Sequence, residues 1–259
     1  MPKNFICHCY LIMAFNKKLL AKRFKKALPT YDQEARIQAL MAKELVNLLF
    51  SLREQFEKVL EIGIGTGLFT VSFFDKYQPN FMIALDLVSD NFLDLAKKYP
   101  LFLLKADAES LPFKKENFDL VVSNATFQWF TNPEKTLVEL AKIIKPGGLL
   151  AFSTFGPSTM KELFPTKRPP GILSSQEWLS IKPASFIPLV QKEWQETLFF
   201  ESPKEALAHV KKTGALGYLK SSWSVKDYRS WERKYRNLAT KAGYPLTFEP
   251  IVMIWRKEL

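Results

Sequence analysis

A glycine-rich turn is the part of the sequence that looks best suited to hold a small ligand. Residues Glu61–Gly67 read EIGIGTG, with glycine at Gly63, Gly65 and Gly67 between an apolar run and an amphipathic stretch. Glycine at such positions permits a tight turn, contact between ligand and backbone, and close approach of a helix to a strand. The dinucleotide fingerprint would put its third glycine at position 68, which is leucine here. The turn therefore indicates a nucleotide-like ligand that is not held by a pyrophosphate.

Two aspartates follow the turn where they could bind the rest of such a ligand. Asp86 ends the second predicted strand and Asp107 ends the third. A carboxylate at the first position can accept both ribose hydroxyls, and one at the second can accept from an adenine amino group. Because the carboxyl ends of parallel strands share one edge of a sheet, we expect both aspartates at one pocket, with the neighbouring Leu87 and Ala108 lining it.

The sequence contains no recognisable arrangement for nucleophilic catalysis or metal binding. His8 and His209 are the only histidines, and we expect His209 to be structural or to contact substrate rather than to act as a base. Cys7 and Cys9 flank His8 without a second Cys/His group, so no metal site is predicted. This cysteine usage suits a reducing, cytoplasmic setting.

Strand and helix patterns alternate through the segment that carries the turn. Strands are predicted at 58–62, 81–85, 102–105, 118–123 and 149–154, and helices at 68–76, 89–98 and 133–145. This alternation predicts an α/β fold with a parallel sheet covered by helices on both faces. Residues 57–156 form the predicted nucleotide-binding core.

The flanking segments complete one predicted domain over residues 15–259. Thr30-Tyr31-Asp32-Gln33 has the form of a capping box and predicts an N-terminal helix over 30–52. Prolines beyond Gly156 predict a helical insertion, followed by strands at 196–200 and 246–255 that bracket a basic helical region, all within 157–259. Residues 1–14 are interpreted as a leader or, with translation starting at Met13, as a mis-annotated start.

The formal net charge of +11 predicts a surface that attracts acidic partners. Nucleic acid, an anionic membrane and an acidic protein all satisfy this charge, and so does an ordinary solvated basic face. No apolar run reaches about 18 residues, so a membrane-spanning helix is not expected.

The acid-Gly-x-Gly-x-Gly turn resembles motif I of class I S-adenosylmethionine-dependent methyltransferases. The resemblance implies a Rossmann-like fold with a mostly parallel seven-stranded sheet and S-adenosylmethionine as cofactor. It also implies that Glu61 helps to hold the methionine ammonium, and that Asn124, after the fourth strand, reaches the methionine portion.

Further motifs resemble the malonyl-[acyl-carrier protein] O-methyltransferase family of early biotin synthesis. They are Gln128-Trp129, residues 152–163, residues 24–38 around Tyr31 and Gln38, residues 200–203, residues 209–215 and residues 244–248. The chain departs from the family's pattern at Ser158, where an acidic residue is common, and at Leu216, where asparagine is usual.

This resemblance implies methylation of the free carboxylate of a malonyl thioester on an acidic acyl-carrier protein, or on coenzyme A. Such a carboxylate is ionised at neutral pH and requires no general base. We expect Gln128 and Trp129 to position the acceptor, and Tyr31 and Gln38 to close the cofactor pocket. Basic residues at 204–241 and 17–26 could steer the carrier protein. A monomer that binds neither nucleic acid nor membrane is expected.

Two other functions are compatible with the same motifs. One is methylation of another small molecule, such as a quinone-ring carbon or a different carboxylic acid. The other is a non-catalytic assembly or chaperone role that keeps the cofactor fold. A nucleic-acid amino-methyltransferase is disfavoured because Asn124 is followed by Ala125-Thr126-Phe127 rather than by Pro-Pro-Tyr.

Overall fold

The computed structural model describes residues 16–88, 93–163, 169–215 and 224–259. The predictions on Cys7, His8, Cys9 and the translation start lie outside these residues, as do those on positions 89–92 and Leu216. Within the described part of the chain, every helix is too short or too polar to cross a bilayer.

Nine strands are present in the described residues. They are β1 (Lys58–Ile62), β2 (Phe81–Asp86), β3 (Phe102–Lys105), β4 (Phe118–Asn124), β5 (Ile144–Phe155), β6 (Phe186–Glu193), β7 (Glu196–Phe200), β8 (Tyr244–Phe248) and β9 (Pro250–Lys257). Seven form the main sheet in the order β3-β2-β1-β4-β5-β9-β6, and β7 pairs with β8 separately. Six strands of the main sheet run the same way, whereas β9 is antiparallel to both of its neighbours. The predicted mostly parallel, seven-stranded α/β fold is confirmed.

Eight α-helices and one short 3₁₀ helix accompany these strands in the described residues. The α-helices are α1 (Lys17–Glu34), α2 (Arg36–Leu52), α3 (Leu68–Phe74), α4 (Leu93–Lys98), α5 (Pro133–Ile143), α6 (Ser175–Ser180), α7 (Pro203–Lys212) and α8 (Val225–Arg236), and the 3₁₀ helix is Phe127–Trp129. Side chains of α2 and α3 pack in the apolar cluster on one face of the main sheet, and those of α5 and α6 pack in the cluster on the other.

The strand order places a ligand crevice beside β1. The chain moves outward from β1 to β2 and β3, then returns to β4 on the opposite side of β1. Open α/β sheets bind ligands at such a reversal, outside the carboxyl ends of the strands. The loops that follow β1, β2 and β4 therefore lie at the same edge of the main sheet.

The N-terminal prediction was wrong about where the helix begins. Thr30 caps no helix: it lies inside α1, and its hydroxyl donates to the backbone oxygens of Ala27 and Lys212 at 3.1 and 3.2 Å. α1 begins at Lys17 and is capped by Asn16, whose side chain accepts from the backbone N–H of Leu19. The break between the helices falls at Ala35, with φ −78° and ψ 41°, so residues 30–52 span two helices.

The predictions beyond Gly156 also need correction. In the described part of 157–195, α6 is the only α-helix, and β6 forms the outer strand of the main sheet. Pro188 lies within β6, where the pairing register with β9 shifts, and an edge strand tolerates this missing N–H. The single strand predicted over 246–255 is two strands, β8 and β9. Of these, β9 belongs to the main sheet together with β6, whereas β8 pairs with β7.

Candidate active site

A cavity opens at the carboxyl edge of the sheet, between the loops after β1 to β4 and the inner face of α1. Its floor contains the glycine-rich turn together with Asp86, Leu87, Asp107 and Ala108. Side chains of α1 form its roof, and residues 124–126 with Trp129 and Phe130 form its far wall. The predicted pocket residues from three separate strand ends are thus brought together.

The glycine-rich turn owes its shape to backbone conformations that favour glycine. Gly63, Gly65 and Gly67 have φ of +75°, +53° and +89°. A Cβ on Gly63 would lie 2.1 Å from Thr126 Oγ1, whereas a Cβ on Gly65 would meet no atom within 4 Å. Gly63 is therefore needed for packing, and Gly65 leaves open space toward the cavity. Gly67 is the N-cap of α3 and lies outside the cavity lining.

Glu61 is a buried carboxyl group below the turn. It is 1% exposed, and its Oε2 accepts a hydrogen bond of 2.7 Å from Thr70 Oγ1. Burial raises the pKa of Glu61 to about 8, and the charge of Asp86 acts in the same direction, against the hydrogen bond from Thr70. A positively charged group in the cavity would favour the ionised form.

Asp86 is oriented by the backbone around it. Its Oδ2 accepts from the N–H of Gly65 at 3.0 Å, and its Oδ1 accepts from the N–H of Val88 at 2.9 Å. Burial raises the pKa of Asp86, although the backbone hydrogen bonds oppose the rise. The carboxylate is thus locked in one orientation at the position predicted for the ribose hydroxyls.

Asp107 is joined to the roof by an ion pair that the sequence analysis did not foresee. Lys17 Nζ, at the start of α1, lies 2.7 Å from Asp107 Oδ1 and 2.6 Å from Oδ2, and it also contacts Glu109. Glu109 in turn accepts from the backbone N–H groups of Thr131 and Asn132. Burial raises the pKa of Glu109, but Lys17 and these hydrogen bonds outweigh that effect and leave it below its usual value.

The roof is formed by the apolar side of α1. Leu20, Ala21, Phe24, Leu28 and Tyr31 line the cavity. Burial, with smaller contributions from Asp32 and Asp86, raises the pKa of the Tyr31 phenol, which is therefore neutral. Tyr31 thus lies in the cavity lining, and its role in closing the pocket stays a prediction.

The far end of α1 is held by α7. Glu34 accepts from His209 Nδ1 and from Lys212 Nζ, each at 2.7 Å. Burial lowers the pKa of His209, although Glu34 opposes the change. His209 is thus structural, as one of the two predicted readings proposed.

A strained turn supports the far wall. Ala125 has φ +51°, a value that costs a residue with a Cβ of the order of 1 kcal/mol or more. Asn124 is fixed beside it, because its Oδ1 accepts from Ser153 Oγ at 2.6 Å and its Nδ2 donates to the backbone oxygen of Gln38 at 3.2 Å. Gln38 itself lies outside the lining and acts through its backbone.

Gln128 and Trp129 have different surroundings. Trp129 lines the cavity and meets Phe24 edge to face, with ring centroids 5.4 Å apart. Gln128 is 4% exposed and lies outside the lining; its Nε2 donates to Ala125 O at 2.6 Å, and its Oε1 accepts from Thr154 Oγ1 at 3.2 Å. The Gln128 amide therefore supports the strained turn.

Comparisons with known proteins identify the family. Residues 60–152 match the methyltransferase domain family. The chain is 35% identical over 239 residues to the malonyl-[acyl-carrier protein] O-methyltransferase of Calditerrivibrio nitroreducens, covering 90% of this chain and 94% of the relative. It is 33% identical to the protein of the same name from Chlorobium luteolum, covering 93% and 96%.

The chain belongs to the malonyl-[acyl-carrier protein] O-methyltransferase family. This membership confirms the prediction of an S-adenosylmethionine-dependent O-methyltransferase. The fold is also that of the N-methyltransferase NodS from Bradyrhizobium japonicum in complex with S-adenosylhomocysteine, with a TM-score of 0.57 at 11% identity, covering 92% of this chain and 98% of that chain.

Proposed function

We propose that the protein transfers the methyl group of S-adenosylmethionine to the free carboxylate of a malonyl thioester on an acyl-carrier protein, an early step of biotin synthesis. The observation that carries this proposal is the similarity to enzymes of that name over at least nine-tenths of the chain. The geometry of the cavity supports it, because one compartment joins a site suited to an adenosine to an aromatic wall.

The floor suits the methyl donor in shape and charge. Asp86 would accept hydrogen bonds from the ribose hydroxyls, and Asp107 would accept one from the adenine amino group. The carboxylate of Glu61 would attract the positively charged methionine ammonium. Gly65 leaves space for the ligand, and the buried hydroxyl of Thr66 makes no hydrogen bond with any described residue. When bound, the donor supplies a methyl group on a positively charged sulfur, which a carboxylate oxygen attacks as the carbon–sulfur electron pair returns to sulfur.

The chain's own contribution is to position the reactants and exclude water. The described lining contains no histidine, cysteine or serine. A carboxylate acceptor fits such a site because it is ionised without a base. The apolar side of α1 and the ring of Trp129 would remove water from the acceptor and hold it close to the methyl group.

Gln128 and Trp129, both predicted to position the acceptor, have different roles in this proposal. Trp129 contacts the acceptor, and Gln128 is a positioning residue that acts through Ala125. Tyr31 stays neutral and closes the roof over the donor. A cytoplasmic monomer that binds no nucleic acid or membrane, and that accepts an acidic carrier protein, stays a prediction.

The test is a mass measurement on the carrier protein. Purified enzyme is incubated with S-adenosylmethionine and either malonyl-carrier protein or malonyl-coenzyme A, side by side. We expect the carrier-bound malonyl group to gain the mass of one methylene, and mild base to remove it again as an ester. A succinyl-carrier protein serves as the acceptor control.

The control variant is Asp86→Ala, in which methyl ester should form only at a strongly reduced rate. An enzyme that binds the donor with normal affinity but forms no ester on either malonyl thioester would contradict the proposal. Methylation of succinyl- and malonyl-carrier protein at equal rates would contradict the substrate assignment.

A further inference from the structure

The two sides of α1 have opposite character. Its inner side lines the cavity with Leu20, Phe24 and Leu28. Lys18, Lys22 and Lys26 are exposed, and their spacing of four residues puts them on one outer stripe. We call these three residues the lysine stripe. None of them forms an ion pair with a described residue.

The lysine stripe lies in a segment without compensating acids. Residues 17–28 contain six basic residues and no acidic residue, and the two acids of α1, Asp32 and Glu34, lie at its other end. α8 is also basic, but it includes Asp227 and Glu232, and Glu232 pairs with Arg236 at 2.9 Å. The lysine stripe therefore has no acidic residue within its own segment, and α1 is also the helix that covers the cavity.

We propose that the acyl-carrier protein docks on the lysine stripe, directly above the active-site cavity. This inference rests on the proposed function, because it takes an acidic carrier protein as the partner. A carrier protein must deliver a thioester on a flexible arm into the cavity. An α-helix with its side chains is about 10 Å across, so docking on the outer side of α1 brings the arm within a short distance of Trp129.

The burial of the other side of α1 favours a protein partner over a membrane. A basic amphipathic helix binds a bilayer by inserting its apolar side between lipids. In this protein that side is the roof of the cavity, and Lys17 and Glu34 fasten it at both ends. The lysine stripe is left for electrostatic contacts, which mainly accelerate encounter and orient an acidic partner.

The experiment compares two charge-reversal triples with the same change in net charge. K18E/K22E/K26E alters the lysine stripe, and K226E/R229E/R233E alters exposed residues of α8 that do not line the cavity. Glutamate and lysine have similar helix propensities, so both helices should persist. Each enzyme is assayed with malonyl-carrier protein and with malonyl-pantetheine, which has the thioester arm without the protein.

For the lysine-stripe triple, we expect KM for malonyl-carrier protein to rise about tenfold or more, with kcat and the KM for malonyl-pantetheine within about twofold of wild type. The α8 triple should change both KM values less than about twofold. K18Q/K22Q/K26Q should give an intermediate increase. In the wild type, KM for the carrier protein should rise with ionic strength, and that for malonyl-pantetheine should not.

Several outcomes would overturn the inference. Equal effects of the two triples would mean that net charge, and not α1, matters. An unchanged KM for the carrier protein in the lysine-stripe triple would exclude docking there. A lysine-stripe triple that lost only its binding to anionic vesicles would likewise exclude it. Loss of donor binding in the charge-reversed variant would indicate that α1 is misfolded. In that case, an unchanged KM for the carrier protein in K18Q/K22Q/K26Q would exclude docking on the lysine stripe. Failure of the wild type to methylate either substrate would instead refute the proposed function.

Discussion

The floor and the roof of the cavity are built in different ways. The floor consists of backbone held at positive φ and of carboxyl groups that are buried or locked by backbone N–H groups. The roof consists of side chains on one helix, fastened by Lys17, which is 24% exposed, and by Glu34, which is 20% exposed. The floor thus permits little adjustment, whereas each contact of the roof can break at modest cost. We expect substitutions in the floor to affect affinity and stability strongly, and substitutions in the roof to affect mainly rates of opening.

The largest effect is expected for Gly63→Ala. The new Cβ would lie 2.1 Å from Thr126 Oγ1 at a φ of +75°. Strain of about 1 kcal/mol and overpacking of about 2 kcal/mol should lower the free energy of unfolding by about 3 kcal/mol, measured by denaturant titration. Combining it with Thr126→Ala should restore part of the loss. A stable Gly63→Ala protein would mean that the floor is more adaptable than its packing indicates.

Asp86→Ala should weaken donor binding by about 100-fold, since hydrogen bonds to a charged carboxylate contribute about 1.5 kcal/mol or more each. The variant also leaves the N–H groups of Gly65 and Val88 without their acceptor. Isothermal titration calorimetry with S-adenosylhomocysteine measures the change. Asp94→Asn, at an exposed position outside the cavity, is the control and should bind normally.

The pH dependence of donor binding tests the buried charge of the floor. Burial raises the pKa of Glu61 to about 8, so below that pH the free protein carries a proton that a bound ammonium must displace. The ratio of wild-type to Glu61→Gln affinity for S-adenosylmethionine should therefore rise with pH by about tenfold between about pH 6.5 and 8, then level off. Using the ratio cancels titration of the donor's own amino group. A ratio independent of pH would show that Glu61 is ionised throughout.

The smallest effect is expected in the roof. Lys17→Met removes the partly exposed ion pairs of Lys17 with Asp107 and Glu109, which contribute about 0.5 to 1 kcal/mol. We expect S-adenosylhomocysteine to dissociate about threefold faster in stopped-flow measurements, with the free energy of unfolding lowered by no more than about 1 kcal/mol. Lys18→Met, one residue along on the exposed side, should leave the dissociation rate unaltered. Equal dissociation rates in Lys17→Met and wild type would mean that the contacts of Lys17 do not help to retain the bound donor product.

The same difference explains how much of the site could be predicted from the sequence. The floor depends on local signals: glycines placed between a strand and a helix, and aspartates directly after strands. Glu61, Gly63, Gly65, Asp86 and Asp107 could therefore be assigned to one pocket before the fold was seen.

The roof depends on contacts between distant residues. Glu34 binds His209, which is 175 positions away, and Lys17 binds Asp107, which is 90 positions away. No local pattern marks these pairs. The apparent capping box at Thr30 favoured the wrong helix start, because α1 continues through Pro29. For Gln128, the motif indicated importance, but only the fold shows that its amide is already bound to Ala125 and Thr154.

Pro188, within β6, misled the sequence prediction for a related reason. A proline is excluded from the middle of a sheet but is accepted on its outer strand. Whether a strand is central or outermost is decided by its pairing with β9, some 60 residues later in the chain. Local composition could not supply that information.

Ala35 gives the architecture an additional consequence. This fully buried residue interrupts the helical path at a defined joint: α1, before it, covers the cavity, and α2, after it, packs against the sheet. The described residues before the joint, 16–34, contact the rest of the protein through their side chains, as Lys17, Thr30 and Glu34 do. Segment 16–34 is thus an exchangeable part: a different helix grafted at the same joint could present other groups to the acceptor while the site for the methyl donor stays intact.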